Sequence, residues 1–346
     1  MGQHQRWLIA GLVAVTAGGL WLSPSAAFEQ LERQLDIRPN NRTEGLSRDV
    51  ADQFLRLGSQ EAAAGNFDAA IAAWHRAIAI YDALGDSPSA GIAYDYIGLT
   101  YASRGRYTEA EDTLRRRLAV ARDNADYRGQ VYGLNNLGSV FVQRGYLNSA
   151  LDTFQTALRI AEDVRDPNGI GLSLSNLGLV AQLQGNLADA RKYYEAATNY
   201  RYRAGDLAGE ANSSNNLGRV YRQLGEEGRA LGAFLVARDA ARRAGDVPNQ
   251  LRALDGLMEI YRDRNEATQV RRFLDERIAL TEAPETSASQ RLATLVQLGQ
   301  YYELTGEFLA AQEAYQAALG LARQIQDNPQ AAFLANRLQA VSRQVR

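Results

Sequence analysis

Apolar side chains recur along this chain at steps of three and four, the spacing that keeps them on one face of a helix. Leu137, Gly138 and Phe141 share one such face, and Ala150, Phe154 and Ala157 share another. Gly145 stands between the two runs, where glycine tolerates the left-handed backbone that follows a helix end. The pattern predicts two amphipathic helices joined by a tight turn. It also sets a puzzle, because "NNLG" (135–138) places three poor helix formers inside the first helix.

The pattern repeats. Gly58, Gly98, Gly138, Gly178 and Gly218 stand 40 residues apart, Met258 keeps the phase, and one extra residue shifts the last marker to Gly299. Before each marker stand Leu57, Ile97, Leu137, Leu177, Leu217, Leu257 and Leu298. Seven residues after it come Gly65, Gly105, Gly145, Gly185, Gly225, Asn265 and Gly306. Twelve after it come Ala70, Ala110, Ala150, Ala190, Ala230, Val270 and Ala311. Sixteen after it come Trp74, Leu114, Phe154, Tyr194, Phe234, Leu274 and Tyr315. The missing β-carbon at each glycine marker predicts close approach of the two helices, with the larger side chains beside it filling the gap. Pro88, Pro167, Pro248, Pro284 and Pro329 all fall at or near the joints.

A unit this small cannot bury its apolar face alone, so stacked units share a continuous core and the ends need caps. Residues 331–346 read as a final capping helix, and residues 28–50 as a lead-in or leading cap. Some positions break the pattern. Arg117 and Arg277 replace the alanine found at Ala77, Ala157, Ala197, Ala237 and Ala318, and the sixth unit has Met258 and Asn265 for its two glycines. Local distortion of that unit and ordinary drift at tolerant positions both fit these departures.

Leu-Gly, then Gly, Ala, an aromatic residue and Ala at these spacings resembles the tetratricopeptide repeat. The 40-residue period, the Asn-Asn-Leu-Gly stretches and the Gly-Asp joints are most similar to the branch that includes kinesin light chain and the LGN/Pins scaffolds. The resemblance covers about residues 48–346. It implies an all-α fold, a right-handed α-α solenoid of about seven repeats over 51–330. It is specific for fold and weakly specific for function.

Totals change this picture little. The chain has 346 residues, 46% of them apolar, and a net charge of −2. Nothing in that balance calls for nucleic acid. There is no cysteine, which excludes disulfides, thiolate catalysis and cysteine-based zinc sites. Lys192 is the sole lysine. The N-terminus stands apart. Arg6, the uncharged apolar run from Trp7 to Leu22, and the small residues Ser23 to Ala27 read as a Sec-type signal peptide of residues 1–27. The expected location is extracytoplasmic, in a periplasm or equivalent lumen. If the segment is not cut, it remains as an anchor and is the expected contact with a membrane.

No chemistry clusters. His75 is the one histidine after residue 27, and a lone histidine makes neither a zinc site nor a triad. No Gly-x-Gly-x-x-Gly or Walker loop is present. Arg115, Arg116 and Arg117 follow Glu109, Glu111 and Asp112 on one helix, which favours intrahelical pairs over phosphate binding. The reading is of a non-catalytic protein with no cofactor.

In the family, first helices line a concave groove. The side of each first helix opposite its core stripe then names candidate lining residues: Tyr132 and Asn135 in the third unit, Leu172 and Leu179 in the fourth, Asn212, Asn215, Arg219 and Arg222 in the fifth, and Arg252 in the sixth. Units two to four offer mostly apolar or neutral positions, and units five and six gather arginine. A protein or peptide segment with an apolar stretch and an acidic group fits that profile, unless Asp255, Glu259 and Asp263 already neutralise the arginines. The carboxylate clamp of the chaperone-adaptor branch is missing, since Asp95, Asn135, Ser175 and Asn215 hold its places without a lysine. Asn136, Asn176 and Asn216 are expected to bond between units, and Asn135 and Asn215 to face the groove. The expected role is an exported interaction scaffold, aiding assembly of an envelope or membrane-associated complex. A peptide-sensing regulator is the alternative.

Overall fold

The computed structural model describes residues 46–283 and 286–344. The expected signal peptide and most of the lead-in fall outside the described residues. Within them every regular element is an α-helix. In chain order these are α1 (Leu46–Ala63), α2 (Phe67–Ala83), α3 (Ser87–Ser103), α4 (Tyr107–Asp123), α5 (Tyr127–Gln143), α6 (Leu147–Asp163), α7 (Pro167–Leu183) and α8 (Leu187–Ala204). Then follow α9 (Leu207–Gln223), α10 (Glu227–Ala244), α11 (Val247–Asp263), α12 (Ala267–Thr281), α13 (Ala288–Thr305), α14 (Phe308–Gln324) and α15 (Asn328–Gln344). Odd-numbered helices up to α13 are the first helices of repeats one to seven, and even-numbered helices are the second. The chain divides into two compact units, one ending at Leu224 and one starting at Gly225. Each is a run of helical hairpins, an all-α repeat solenoid, and consecutive helices pack on one another within each.

Short polar signals start and stop the helices. Asp86, Asp126, Asp166, Asp206 and Asp246 cap α3, α5, α7, α9 and α11, each carboxylate accepting from a backbone N–H of the first turn. Such caps satisfy donors that a helix cannot pair internally. Ser287 and Gln290 form a reciprocal capping box at α13. The turn after each first helix carries positive φ, at Gly145 for example, and Asn265 adopts it too, at 58°. Asparagine is among the few side chains that enter this region readily.

The helices of a repeat meet where a β-carbon is missing. A β-carbon on Gly138 would stand 2.4 Å from the Phe154 ring, and one on Gly58 would stand 2.2 Å from Trp74. Gly178 and Gly299 face Tyr194 and Tyr315 in the same way. Phe154, Tyr194 and Tyr315 are fully buried. In repeat six the register holds Met258 and Leu274 instead, both fully buried. The ring of Phe234, from α10 of repeat five, sits over Gly256, two residues before the marker. The first helix of repeat six, α11, keeps the 17-residue length of α5. Only α12 is shortened, to 15 residues. The final helix α15 starts earlier than residue 331 and buries Leu334 and Val341 against the core of repeat seven. Its Arg337 pairs with Glu303 of α13. Among the described residues no helix is long and apolar enough to cross a membrane.

Candidate functional site

In the first unit, α3, α5, α7 and α9 pack side by side as one wall. Polar side chains tie the wall together. Asn136 Nδ2 donates to Asp95 Oδ1 at 2.9 Å, and Asn176 Nδ2 donates to Asn135 Oδ1 at 2.8 Å. Asn135 Nδ2 donates both to Val131 O and to Ser173 Oγ, at 2.8 and 2.9 Å. The hydroxyls of Ser175 and Ser213 lie 2.7 Å apart, and Gln182 Nε2 donates to Gln223 Oε1 at 2.9 Å. Each of these bonds joins neighbouring repeats except the local one to Val131. Asn136 and Asn176 do bridge repeats, and the partner of Asn176 is Asn135, which was expected to face the groove.

The candidate lining residues therefore divide. Leu172, Leu179, Asn212, Arg219 and Arg222 are half-buried on the wall. Tyr132, Asn135 and Asn215 lie inside it, with Asn135 and Asn215 only 1% exposed. The position three before the marker points at the neighbouring first helix, where an amide is more useful than at an open surface. Arg128 sits 5.7 Å over the ring of Tyr132. Arg219 donates to Asn216 Oδ1 at 2.8 Å, and Asn216 in turn to Asn212 Oδ1 at 3.3 Å. Arg252 belongs to the second unit, where it is half-buried and donates to Asn249 Oδ1 at 3.1 Å. The apolar component of the first-unit wall is continuous with its core: Ile92 and Leu99 pack on the cluster around Trp74, and Leu179 and Leu183 on the cluster around Phe154.

The two odd arginines have a structural reason that single-position reading missed. Arg117 is 3% exposed and its Nε lies 3.2 Å from Asp95 Oδ2, with Asp126 3.6 Å from Nη1. Arg277, equally buried, places Nε 3.1 Å from Asp255 Oδ1. At this position of the second helix, arginine stands only in the two repeats whose first helix carries aspartate at the facing position. Repeats three to five pair Asn135, Ser175 and Asn215 with Ala157, Ala197 and Ala237. The covariation was present in the sequence, and drift is not the explanation. Glycine makes the room, since β-carbons on Gly91 and Gly129 would stand 2.4 and 2.5 Å from the Arg117 guanidinium. Arg115, by contrast, does pair along its own helix, with Glu111 at 2.6 Å. Removal from water pushes the Asp95 carboxyl above the usual range, and Arg117 pulls it back. Loss of water contact also pushes Asp255, whose side chain stays about a third exposed, up to about 6 against the pull of Arg277. His75 is exposed on α2, and partial burial with Arg116 nearby lowers its pKa. Among the described residues no group of three histidine, aspartate or glutamate side chains is placed to hold a metal ion.

Two outcomes follow. Arg117→Ala leaves Asp95 buried without its cation and costs about 3 kcal/mol or more of unfolding free energy. Asp95→Asn with Arg117→Ala recreates the Asn135/Ala157 arrangement and recovers most of the loss; denaturant melts of the single and double variants measure this. The second concerns pH. Asp255 has a folded pKa of about 6, above the roughly 3.9 of an unfolded aspartate. The folded chain holds a proton through that window that the unfolded chain releases. Its contribution to stability is complete below about pH 3.9 and lost as pH rises through about 6. Melts at pH 4, 5 and 7 show this slope in the parent chain, and a smaller one in Asp255→Asn.

Comparison with known proteins agrees with the architecture. Two tetratricopeptide repeat models match, one over residues 50–123, 129–203 and 169–243 and the other over 292–325. No curated protein matches the sequence. Among solved structures, BtubC (BKLC) from P. vanneervenii is 19% identical with a TM-score of 0.56, covering 64% of this chain and 90% of its own. A Rap protein, solved in complex with competence and sporulation factor, is 14% identical with a TM-score of 0.54, covering 99% and 88%. The signal transduction ATPase with numerous domains PH0952 from Pyrococcus horikoshii, which carries a tetratricopeptide repeat sensor, is 17% identical with a TM-score of 0.60, covering 83% and 44%. At these identities the likeness is one of fold. The repeat models span more than half of the chain, and the chain belongs to the tetratricopeptide repeat family.

Proposed function

We propose that this protein is a non-catalytic interaction scaffold that holds a protein or peptide segment against the wall of first helices in its first unit. The observation that carries the reading is the row of half-buried apolar side chains on that wall, Ile92 and Leu99 on α3 and Leu172, Leu179 and Leu183 on α7. Apolar surface of this kind, bordered by polar residues, marks an interaction site. Membership of the repeat family supports it, and so does the fold shared with a Rap protein that binds competence and sporulation factor. The half-buried Arg219 and Arg222 follow on α9, and guanidinium groups favour carboxylates. They give the partner an acidic group beside its apolar stretch.

The N-terminal pattern extends the proposal to export. In this reading residues 1–27 direct the chain to an extracytoplasmic compartment, where it organises an envelope or membrane-associated complex.

An affinity pull-down from the envelope fraction tests the reading. The parent chain retains a partner that Leu172→Asp with Leu179→Asp loses, and that Arg219→Glu with Arg222→Glu weakens about tenfold or more. Circular dichroism controls for folding. Identical partner recovery by all three chains sinks the wall as the binding surface. N-terminal sequencing of the exported form reads Phe28 first, whereas an intact chain confined to the cytosol rules out export.

A further inference from the structure

The exposed side of α10, in the second unit, differs from that of the other second helices. Fourteen residues after the marker, five repeats carry a charge, at Asp112, Asp152, Lys192, Arg272 and Glu313, and repeat five carries Gly232. Seventeen after it stand His75, Arg115, Gln155, Glu195, Asp275 and Gln316 in the other six repeats, and Leu235 in this one. Leu235 and its neighbour Val236 are 39% and 43% exposed, two branched apolar side chains left in water. Gly232 and Gly228 precede Val236 on the same face, at steps of four. Neither glycine has an internal reason. A β-carbon on either would meet nothing within 4 Å, whereas one on Gly138 would strike the Phe154 ring. Glycine weakens a helix relative to alanine, so this pair costs stability without serving the core. What bare backbone on an exposed face does permit is the close approach of another helix.

We infer that α10 pairs antiparallel with α10 of a second copy of this chain, about a two-fold axis at Gly232. Shape and charge both select that occupant. Gly228 and Val236 lie four residues to either side of Gly232, about 6 Å each way along the helix. A two-fold axis at Gly232 therefore sets Val236 of each copy over the bare Gly228 of the other, a knob on a hole, as a self-complementary interface requires. Gly232 itself falls at the crossing point, where the two backbones come nearest and a side chain has least room. Parallel pairing would set valine on valine and glycine on glycine. It would also place Arg242 and Arg243, which close the helix, beside the same arginines of the other copy. Antiparallel pairing holds them about 30 Å apart and opposes the helix dipoles. The patch is one helix wide, at the low end of interface areas, so the dimer exchanges readily with monomer. It is separate from the wall of first helices and does not depend on what that wall holds.

Sedimentation equilibrium of the complete chain, from about 1 to 200 μM, tests this. The weight-average mass of the parent chain rises with concentration towards that of a dimer. Val236→Asp and Gly228→Val each weaken association about tenfold or more, the first by burying a carboxylate and the second by setting valine on valine. Gly228→Val combined with Val236→Gly exchanges knob and hole and restores association. Gly232→Gln abolishes association yet raises the melting temperature of the dilute monomer, because glutamine is the better helix former. A parent chain that stays monomeric throughout overturns the second copy; if Val236→Asp then loses a protein in a pull-down from the envelope fraction, the face belongs to a different partner. Self-association that all of these variants leave unchanged overturns the face as the interface.

Discussion

The contact on which the structure depends is a large side chain set over a missing β-carbon. Phe154 lies where a β-carbon on Gly138 would have to be, and the same holds for Trp74 over Gly58 and Tyr315 over Gly299. A glycine inside a helix costs up to about 1 kcal/mol relative to alanine. Burying an aromatic side chain returns roughly 2–3 kcal/mol, and it fixes the distance between the two helices of the repeat. With that distance fixed, the neighbouring repeat meets a surface of constant shape, and stacking becomes possible at a constant period. A repeat outside such a stack leaves its other face wet, so stability resides in neighbours as much as in units.

A second layer of interactions sets how neighbours align. Apolar faces alone tolerate sliding, whereas the bonds from Asn136 to Asp95 and from Asn176 to Asn135 tie α5 to α3 and α7 to α5. Buried polar groups carry this kind of specificity only when all are satisfied. Where the facing residue is aspartate, an arginine from the second helix supplies the missing positive charge, at Arg117 and Arg277. The same economy bears on binding. The amides that align the helices are spent within the wall, with half-buried leucines beside them.

Much of this was legible in the sequence because the repeat prints each physical requirement several times. The ring-over-glycine contact shows as Gly138 with Phe154 and again as Gly178 with Tyr194. The caps show as aspartate at the five joints from Asp86 to Asp246. Substitution within the pattern was harder to judge. Met258 broke the glycine pattern, yet it is fully buried, as is Leu274, and Gly256 takes the Phe234 ring. Arg117 looked like drift until Asp95 was placed beside it. The wall was legible in outline only. A helical wheel puts Asn135 on the open side, while the packing of α5 on α7 closes that side over it. Pairwise reading of repeats, position against facing position, recovers the arginines; the inclination of adjacent helices is not written in any one repeat.

The central claim is that ring and glycine act as one unit. A double-mutant cycle in repeat three tests it most directly. Gly138→Met overpacks the contact and costs about 3 kcal/mol in a urea melt. Phe154→Leu alone opens space and costs roughly 1–2 kcal/mol. Together they imitate Met258 with Leu274, and the double variant is more stable than the sum of the two losses by at least about 1 kcal/mol. Simple additivity would contradict the account, since it would mean that the two positions do not share one space.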